Sequence, residues 1–161
     1  MFPLAMAFAA TSDILTMTIA NRVSLGLVVG FVGLAAMAGL PASQILVDHL
    51  SCGAAVLALT FALFAFGWIG GGDAKLAAAT AVWLGWSSLA DYGLLASLLG
   101  AVLTLGLLQF RRLVLPERLQ ARAWLARLHR KDNGVPYGVA LAIAGLVLYP
   151  QTALWQVVAG P

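Results

Sequence analysis

The carboxylates are the most chemically capable side chains in this sequence. Its 161 residues hold six acids, two histidines and one cysteine. Neither His49 nor His129 stands near a serine in a pattern typical of a nucleophilic dyad, and the single cysteine, Cys52, cannot form an internal disulfide. No group of histidines, cysteines and acids has metal-ligand spacing, so we expect neither a metal site nor a cofactor. The acids are therefore the candidates for catalysis.

Asp13 and Asp73 differ from the other acids in their surroundings. Asp13 is embedded in the apolar segment 2–19, where a carboxylate near hydrocarbon costs roughly 2.5–3.5 kcal/mol and is a functional candidate by default. The alternative for Asp13 is a helix-end acid that reaches the membrane interface. Asp73 follows the glycines Gly70 to Gly72, which break a helix and allow another backbone to approach. The remaining acids lie in predicted loops or at predicted helix ends: Asp48, Asp91, Glu117 and Asp132.

The elements that must position these acids are membrane helices. Hydrophobic residues make up 62% of the chain and charged residues 9%, whereas about 25% of a soluble domain is charged. A helix that crosses the hydrocarbon layer needs about 20 apolar residues. We therefore predict an all-α fold, a polytopic membrane helix bundle that forms one domain over residues 1–161. Its six predicted spans are roughly 2–19, 24–40, 50–69, 75–90, 92–110 and 135–157.

A basic loop over residues 111–134 separates the last two predicted spans. From Glu117 to Arg130 the residues favour a helix, and leucines and Trp124 alternate with arginines. This pattern predicts a cytoplasmic amphipathic helix that lies in the interface while its arginines reach anionic headgroups. An orienting basic loop with no specific partner is at least as good an interpretation as a substrate-docking role.

The distribution of lysines and arginines predicts the orientation. All nine lie around residues 20–23, 70–75 and 111–134. Since positive residues accumulate on the cytoplasmic side, both termini should face outward. The net charge of +3 then serves orientation and headgroup contact, and we expect no nucleic-acid partner. No basic residue precedes the first span, so we do not expect a cleaved signal peptide.

This orientation places Asp13 and Asp73 on the same, cytoplasmic face. Two carboxylates that share a site cannot both ionise easily, so they share one proton. The ionised group can activate water, and the protonated group can polarise a peptide carbonyl and later protonate the leaving amine. The pair titrates as a unit, so the sequence does not assign these roles. The two acids therefore indicate an aspartyl protease.

Three segments resemble the type IV prepilin peptidases, membrane aspartyl proteases with a Gly-x-Gly-Asp motif. Asp13 with the following Ile19-Ala20-Asn21 resembles the first aspartate and its Ile-Pro-Asn, with alanine in place of proline. The segment Gly70-Gly71-Gly72-Asp73-Ala74-Lys75-Leu76 resembles the family's second aspartate motif, including the Lys-Leu that follows the aspartate. The segment Val135-Pro136-Tyr137-Gly138-Val139-Ala140 resembles the start of the last span in the small Flp (tight-adherence) subgroup.

The resemblance implies a peptidase of the bacterial inner membrane that removes the short basic leader from pilin-like precursors at the cytoplasmic face. It implies Asp13 and Asp73 as the catalytic pair, with no metal. Larger members add paired Cys-x-x-Cys motifs and methylate the new N-terminus, so we expect no methyltransferase activity here. Ala20 leaves the turn after Asp13 less rigid than proline would. The residues that support the motifs are Asn21, Gly70, Gly72 and Lys75.

Two alternatives stay open. A small transporter, or a pilus or secretion assembly scaffold, would use intramembrane aspartates to bind protons or cations. Its acids should stand near mid-membrane, whereas both acids here fall toward the inner edge. A peptidase for another leader-bearing precursor, such as an archaeal flagellin-like protein or a secretion pseudopilin, has the same sequence features. The sequence does not choose among these substrates, and it leaves the oligomeric state undetermined.

Overall fold

The computed structural model describes residues 1–160. Helices make up 79% of the chain, and none of the described residues forms a strand. The predicted all-α class is thus confirmed. The helices are α1 (Phe2–Thr16), α2 (Asn21–Met37), α3 (Ala42–Ala65), α4 (Gly71–Leu84), α5 (Trp86–Phe110), α6 (Glu117–Gln120), α7 (Ala123–His129), α8 (Gly138–Gln151) and α9 (Ala153–Ala159). Helix α3 contains one π-helical turn, Ile45–Leu50, while α5 begins and α8 ends with a 3-10 turn.

Each of the six predicted spans corresponds to one long helix, with shifted ends. Two of them, α3 and α5, are long and apolar enough to cross a membrane by length and composition. Helices α1, α2 and α8 are apolar and shorter. Membrane passage by all six helices stays a prediction.

Helix α4 is the centre of the bundle. It packs against α2, α3 and α8, and every residue from Leu76 to Leu84 is buried. Most of these residues are small, and small side chains allow neighbouring helices to approach closely. A helix that is apolar on all sides is expected to be enclosed by protein in this way. The rigid surroundings of α4 fix the position of its first turn, which carries Asp73.

An aromatic cluster holds the far end of α4. The ring of Trp83 lies 4.9 Å from that of Phe2 and 5.8 Å from that of Tyr149, and Phe2 stacks on Tyr149 at 4.6 Å. Aromatic pairs of this kind contribute about 0.5–1.5 kcal/mol beyond the area they bury. The indole Nε1 of Trp83 donates a hydrogen bond to the carbonyl oxygen of Leu27, 2.9 Å away. The cluster therefore joins α1, α2, α4 and α8.

The start of α3 differs from the sequence prediction, which placed Asp48 and His49 in an outward loop. Both residues lie within α3, and His49 is 2% exposed. Its Nδ1 is 2.9 Å from the carbonyl oxygen of Val82, and Asp48 accepts a hydrogen bond of 3.1 Å from the backbone N–H of Trp86. These polar side chains find partners at the α4–α5 turn, so they do not end the helix.

The basic loop also differs from its prediction as one amphipathic helix. It forms two short helices, α6 and α7, because Arg122 adopts an extended conformation with φ −87° and ψ 108°. Contacts with the bundle outweigh local helix propensity here. Leu128 is buried, and the guanidinium of Arg127 donates to the carbonyl oxygen of Leu15 at the end of α1. A continuous helix would not direct α7 onto α1.

A buried arginine anchors the segment that follows α7. Arg111 is 8% exposed; its Nε donates to the carbonyl oxygen of Leu128 at 2.8 Å and its Nη2 to that of Gly134 at 2.7 Å. Guanidinium groups suit such double contacts because their donors have a fixed, planar arrangement. Arg111 thus ties the end of α5 to the chain that leads into α8.

Candidate active site

Asp13 lies in the last turn of α1 and faces the start of α8. Its side chain is buried, and its Oδ2 accepts a hydrogen bond of 2.8 Å from the backbone N–H of Gly138. Helix α1 ends directly afterwards, because Met17 adopts a left-handed conformation with φ 57° and donates to the carbonyl oxygen of Asp13. The N-terminus of a helix carries free N–H groups and a positive partial charge. The start of α8 therefore stabilises and orients the Asp13 carboxylate.

Asp73 lies in the first turn of α4, so it too sits at a positive helix end. The N-cap residue is Gly70, with an ordinary extended backbone. A Cβ at Gly70 would come within 2.9 Å of Asp73 Oδ2, and one at Gly72 within 3.3 Å of Ile19 Cβ. Gly70 therefore leaves room beside the carboxylate. Gly72 instead allows α4 to approach the segment between α1 and α2.

The structure brings the two acids to one cleft. Asp13 and Asp73 together line a cleft of about 740 Å³ and an adjoining cavity of about 220 Å³. The α3–α4 loop forms one side of the cleft, with the exposed Trp68 on its rim and Gly67 at φ 74°. Tyr137 and the chain before it form the other side. The carboxylates therefore share a space that could hold an extended chain.

Gly138 is the site residue that sequence reasoning missed. The sequence resemblance includes this glycine, but only as part of the start of the last span. A Cβ here would lie 2.8 Å from Asp13 Oδ2 and 2.6 Å from Ile19 Cδ1, so a glycine is needed for the close approach. Its neighbour Tyr137 donates a hydrogen bond of 3.2 Å to the carbonyl oxygen of Ala96 and packs its ring on Gly100. Tyr137 thereby attaches the cleft wall to α5.

The other predicted residues lie beside the cleft rather than in it. The ammonium of Lys75 donates a hydrogen bond of 2.8 Å to Oδ1 of Asn21, which joins the starts of α2 and α4. Ala20 precedes α2 with φ −66° and ψ 136°. Proline fixes φ near −65°, so alanine here adopts the backbone that proline would impose. Within residues 1–160, no group of three His, Cys, Asp or Glu side chains could hold a metal ion.

This arrangement defines the class of protein: an all-helical bundle with two aspartates that line one cleft. Comparison with known families is more specific. The model of the type IV leader peptidase family matches residues 1–105, well over half of the chain. The chain belongs to this family. The match includes both aspartates and both glycines of the second motif.

Curated proteins give a partial match. The chain is 38% identical over 79 residues to a "Prepilin leader peptidase/N-methyltransferase" of Aeromonas salmonicida, and equally to one of Aeromonas hydrophila. The alignment covers 49% of this chain and 22% of each relative. The chain therefore spans about a fifth of the length of these relatives. No solved structure matches the chain.

Proposed function

We propose that this protein is a membrane aspartyl endopeptidase that removes the leader peptide from type IV prepilin or pseudopilin precursors. Asp13 and Asp73 are the catalytic pair. The observation that carries the proposal is that both carboxylates, 60 positions apart in the chain, line the same cleft. Family membership and the names of the two Aeromonas relatives support the substrate class.

The pair performs hydrolysis by acid–base chemistry. With one shared proton, the ionised carboxylate takes a proton from water as the water oxygen attacks the peptide carbonyl carbon. The protonated carboxyl donates its proton to the carbonyl oxygen. As the C–N bond of the tetrahedral intermediate breaks, the protonated carboxyl gives its proton to the leaving nitrogen. The other carboxylate takes a proton from one hydroxyl of the intermediate, and a carboxylic acid and an amine are released. The dyad ends with a single proton, as it began.

The N–H of Gly138 supports this cycle by holding Asp13 in place. Since the donor belongs to the backbone, its direction is fixed by α8 and does not reorganise during the reaction. It also occupies one lone pair of Oδ2, which leaves the other oxygen of Asp13 for water or substrate. Gly70 has no side chain to crowd the Asp73 carboxylate, which leaves room there for water or substrate.

The surroundings of the dyad suit a substrate with a polar and an apolar part. The catalytic cleft continues past Asp73 and Tyr137 into an apolar groove of about 420 Å³ between α3 and α5. Apolar side chains line most of this groove, including Leu59, Leu63 and Ala96. The peptide with the scissile bond would lie in the cleft, and an adjoining apolar segment would occupy the groove. Because the groove lies between α3 and α5, such a segment can enter it sideways from the lipid.

The finer features follow the sequence expectations. The segment Val135-Pro136-Tyr137-Gly138-Val139-Ala140, which resembles the small Flp subgroup, favours an Flp-type precursor. The uncharged runs favour six spans, and the family resemblance favours the bacterial inner membrane. The distribution of lysines and arginines favours outward termini and cleavage at the cytoplasmic face. The basic loop over 111–134 contacts the anionic headgroups in this arrangement.

The experiment compares single variants of the full chain, reconstituted in liposomes with a purified Flp-type prepilin. We expect Asp13→Asn and Asp73→Asn each to abolish leader removal, because an amide cannot exchange the shared proton. Asp91→Asn, at an exposed acid near the start of α5, should cleave like the unaltered protein. N-terminal sequencing of the product identifies the bond.

Full cleavage by either cleft variant would contradict the dyad. The transporter alternative makes a different prediction for the same liposomes. A proton or cation flux that both variants abolish, without any cleavage by the unaltered protein, would favour it.

A further inference from the structure

A second groove lies on a different side of α4 from the catalytic cleft. It measures about 480 Å³ and is formed by residues 21–28 of α2, 50–57 of α3 and 75–82 of α4. Most of its wall is apolar, with leucine, valine, alanine and glycine side chains. Neither Asp13 nor Asp73 lines it. The groove therefore does not belong to the site described above.

One positive charge stands at the end of this groove. Lys75 lines it and donates to Oδ1 of Asn21, a neutral amide that leaves the ammonium charge uncompensated. Among the described residues, Lys75 takes part in no ion pair, and no carboxylate lines the groove. An ammonium has three donors, so at least two remain for an anionic ligand.

A buried hydroxyl provides an independent indication of a ligand. Ser24 lines the groove one helical turn beyond Asn21, is 8% exposed, and its Oγ has no hydrogen-bond partner among residues 1–160. Buried polar atoms are almost always satisfied, so an unpaired hydroxyl in a cavity wall points to a missing partner. The Oγ is enclosed in its present rotamer, and a rotation of the side chain toward the groove would pair it with a ligand oxygen or nitrogen about one turn from the charge bound at Lys75.

The length of the groove limits what can fill it. Each of the three helices contributes a window of seven residue steps, which corresponds to about 10 Å along a helix axis. One leaflet of hydrocarbon is about 15 Å deep. A charged group at one end, a polar linkage a turn deeper and about 10 Å of apolar wall are the features of a phospholipid with one acyl chain inserted.

We infer that this groove binds an anionic phospholipid, with the phosphate at Lys75, a glycerol or ester oxygen at Ser24, and one acyl chain along α2, α3 and α4. Charge decides between lipids, since a zwitterionic headgroup brings its own cation to the ammonium. A second copy of this chain is a poorer occupant, because it would enclose the Lys75 charge without an acid to pair with it. The assignment does not depend on the proposed peptidase activity.

The test is native mass spectrometry of the full-length protein in detergent, with dioleoyl phosphatidylglycerol or dioleoyl phosphatidylcholine added in equal amounts. One basic residue near an anionic surface contributes about 1 kcal/mol, which corresponds to about a fivefold preference for phosphatidylglycerol. Lys75→Gln should lose that preference and Lys75→Arg should keep it. Lys131→Gln, in the exposed loop before α8, removes the same charge outside the groove and should reduce the preference less than Lys75→Gln does.

A second variant tests the acyl-chain position. Ala54 is an exposed residue of the groove wall, so Ala54→Phe should fill the groove without disturbing the core and should weaken binding of both lipids. Glycerophosphate, which has the headgroup charge but no chain, should not compete. Equal binding of the two lipids by the unaltered protein, an unchanged preference in Lys75→Gln, or displacement by glycerophosphate would each overturn the inference. The readout needs no substrate, so its failure is distinct from a failure of the proposed peptidase.

Discussion

The substitution Gly138→Ala tests whether the start of α8 positions the catalytic dyad. The added methyl carbon would lie 2.8 Å from Asp13 Oδ2, 3.2 Å from Asp13 Cγ and 2.6 Å from Ile19 Cδ1. Ordinary contacts of this kind begin near 3.4 Å, so the carboxylate must move by about half an ångström or more. The side chain of Ile19 can rotate away. Asp13 cannot do so without losing its hydrogen bond, because the backbone N–H that holds it belongs to residue 138, the residue that would carry the new methyl group.

The magnitude follows from the two interactions that conflict. A hydrogen bond to a charged group contributes about 1.5–3 kcal/mol, and an extra methyl group in a packed site costs about 1–3 kcal/mol. Displacement of a catalytic group by about 1 Å can reduce the rate about 100-fold. For a shift of about half that distance, we expect kcat/KM to fall roughly 10-fold to 100-fold, mainly through kcat. Alanine favours a helix by up to about 1 kcal/mol over glycine, so the protein should remain folded.

The assay is single-turnover cleavage of a prepilin by the reconstituted protein, with thermal unfolding measured on the same samples. Gly106→Ala is the matched control, because a Cβ at Gly106 of α5 meets nothing within 4 Å. It should leave cleavage unchanged. A Gly138→Ala protein that is folded and cleaves at the rate of the unaltered protein would refute the idea that the Gly138 N–H positions Asp13.

Two further predictions concern the segments that support the site. Ala20→Pro should raise the free energy of unfolding by about 0.4–1 kcal/mol, because φ is already −66° and the Ala20 N–H donates no hydrogen bond among residues 1–160. Thermal unfolding measures this change in stability, and a loss of stability would contradict the prediction. Ala10→Pro, inside α1, should instead be strongly destabilising. Arg111→Met should cost about 1–3 kcal/mol for each of the two carbonyl oxygens it leaves without a donor, and should speed proteolysis between α5 and α8. The exposed Arg112→Met is its control, and equal protease resistance of the two variants would show that Arg111 does not anchor this segment.

The sequence predicts the helices well because uncharged runs leave few other possibilities for the chain. It also singles out Asp13 and Asp73, since a carboxylate in an apolar segment is costly enough to need a reason. Ends of helices are less predictable. Helix α3 begins at Ala42 rather than near residue 50, because His49 finds a carbonyl partner that no local pattern reveals.

The parts of the site that escape prediction depend on tertiary contacts. The N–H that holds Asp13 belongs to a residue 125 positions away, and a backbone donor leaves no side-chain signature in the sequence. The absence of a side chain at Gly138 is what permits the close approach of Asp13. With 17 glycines in 161 residues, however, the sequence does not show which glycine has this role. The break at Arg122 likewise reflects the docking of α7 onto α1 rather than local propensity.

The first turn of α4 connects the two proposed functions. Successive residues of a helix are rotated by about 100°, so Asp73 and Lys75 point in directions about 200° apart. This is why one side chain lines the catalytic cleft and the other lines the second groove, although only one residue separates them. A lipid phosphate at Lys75 would add a restraint at the open end of α4, where Asn21 now provides the only side-chain hydrogen bond to Lys75 among the described residues. On these proposals, an anionic lipid would restrain the turn that carries Asp73 without entering the cleft, because the groove and the cleft lie on different sides of α4.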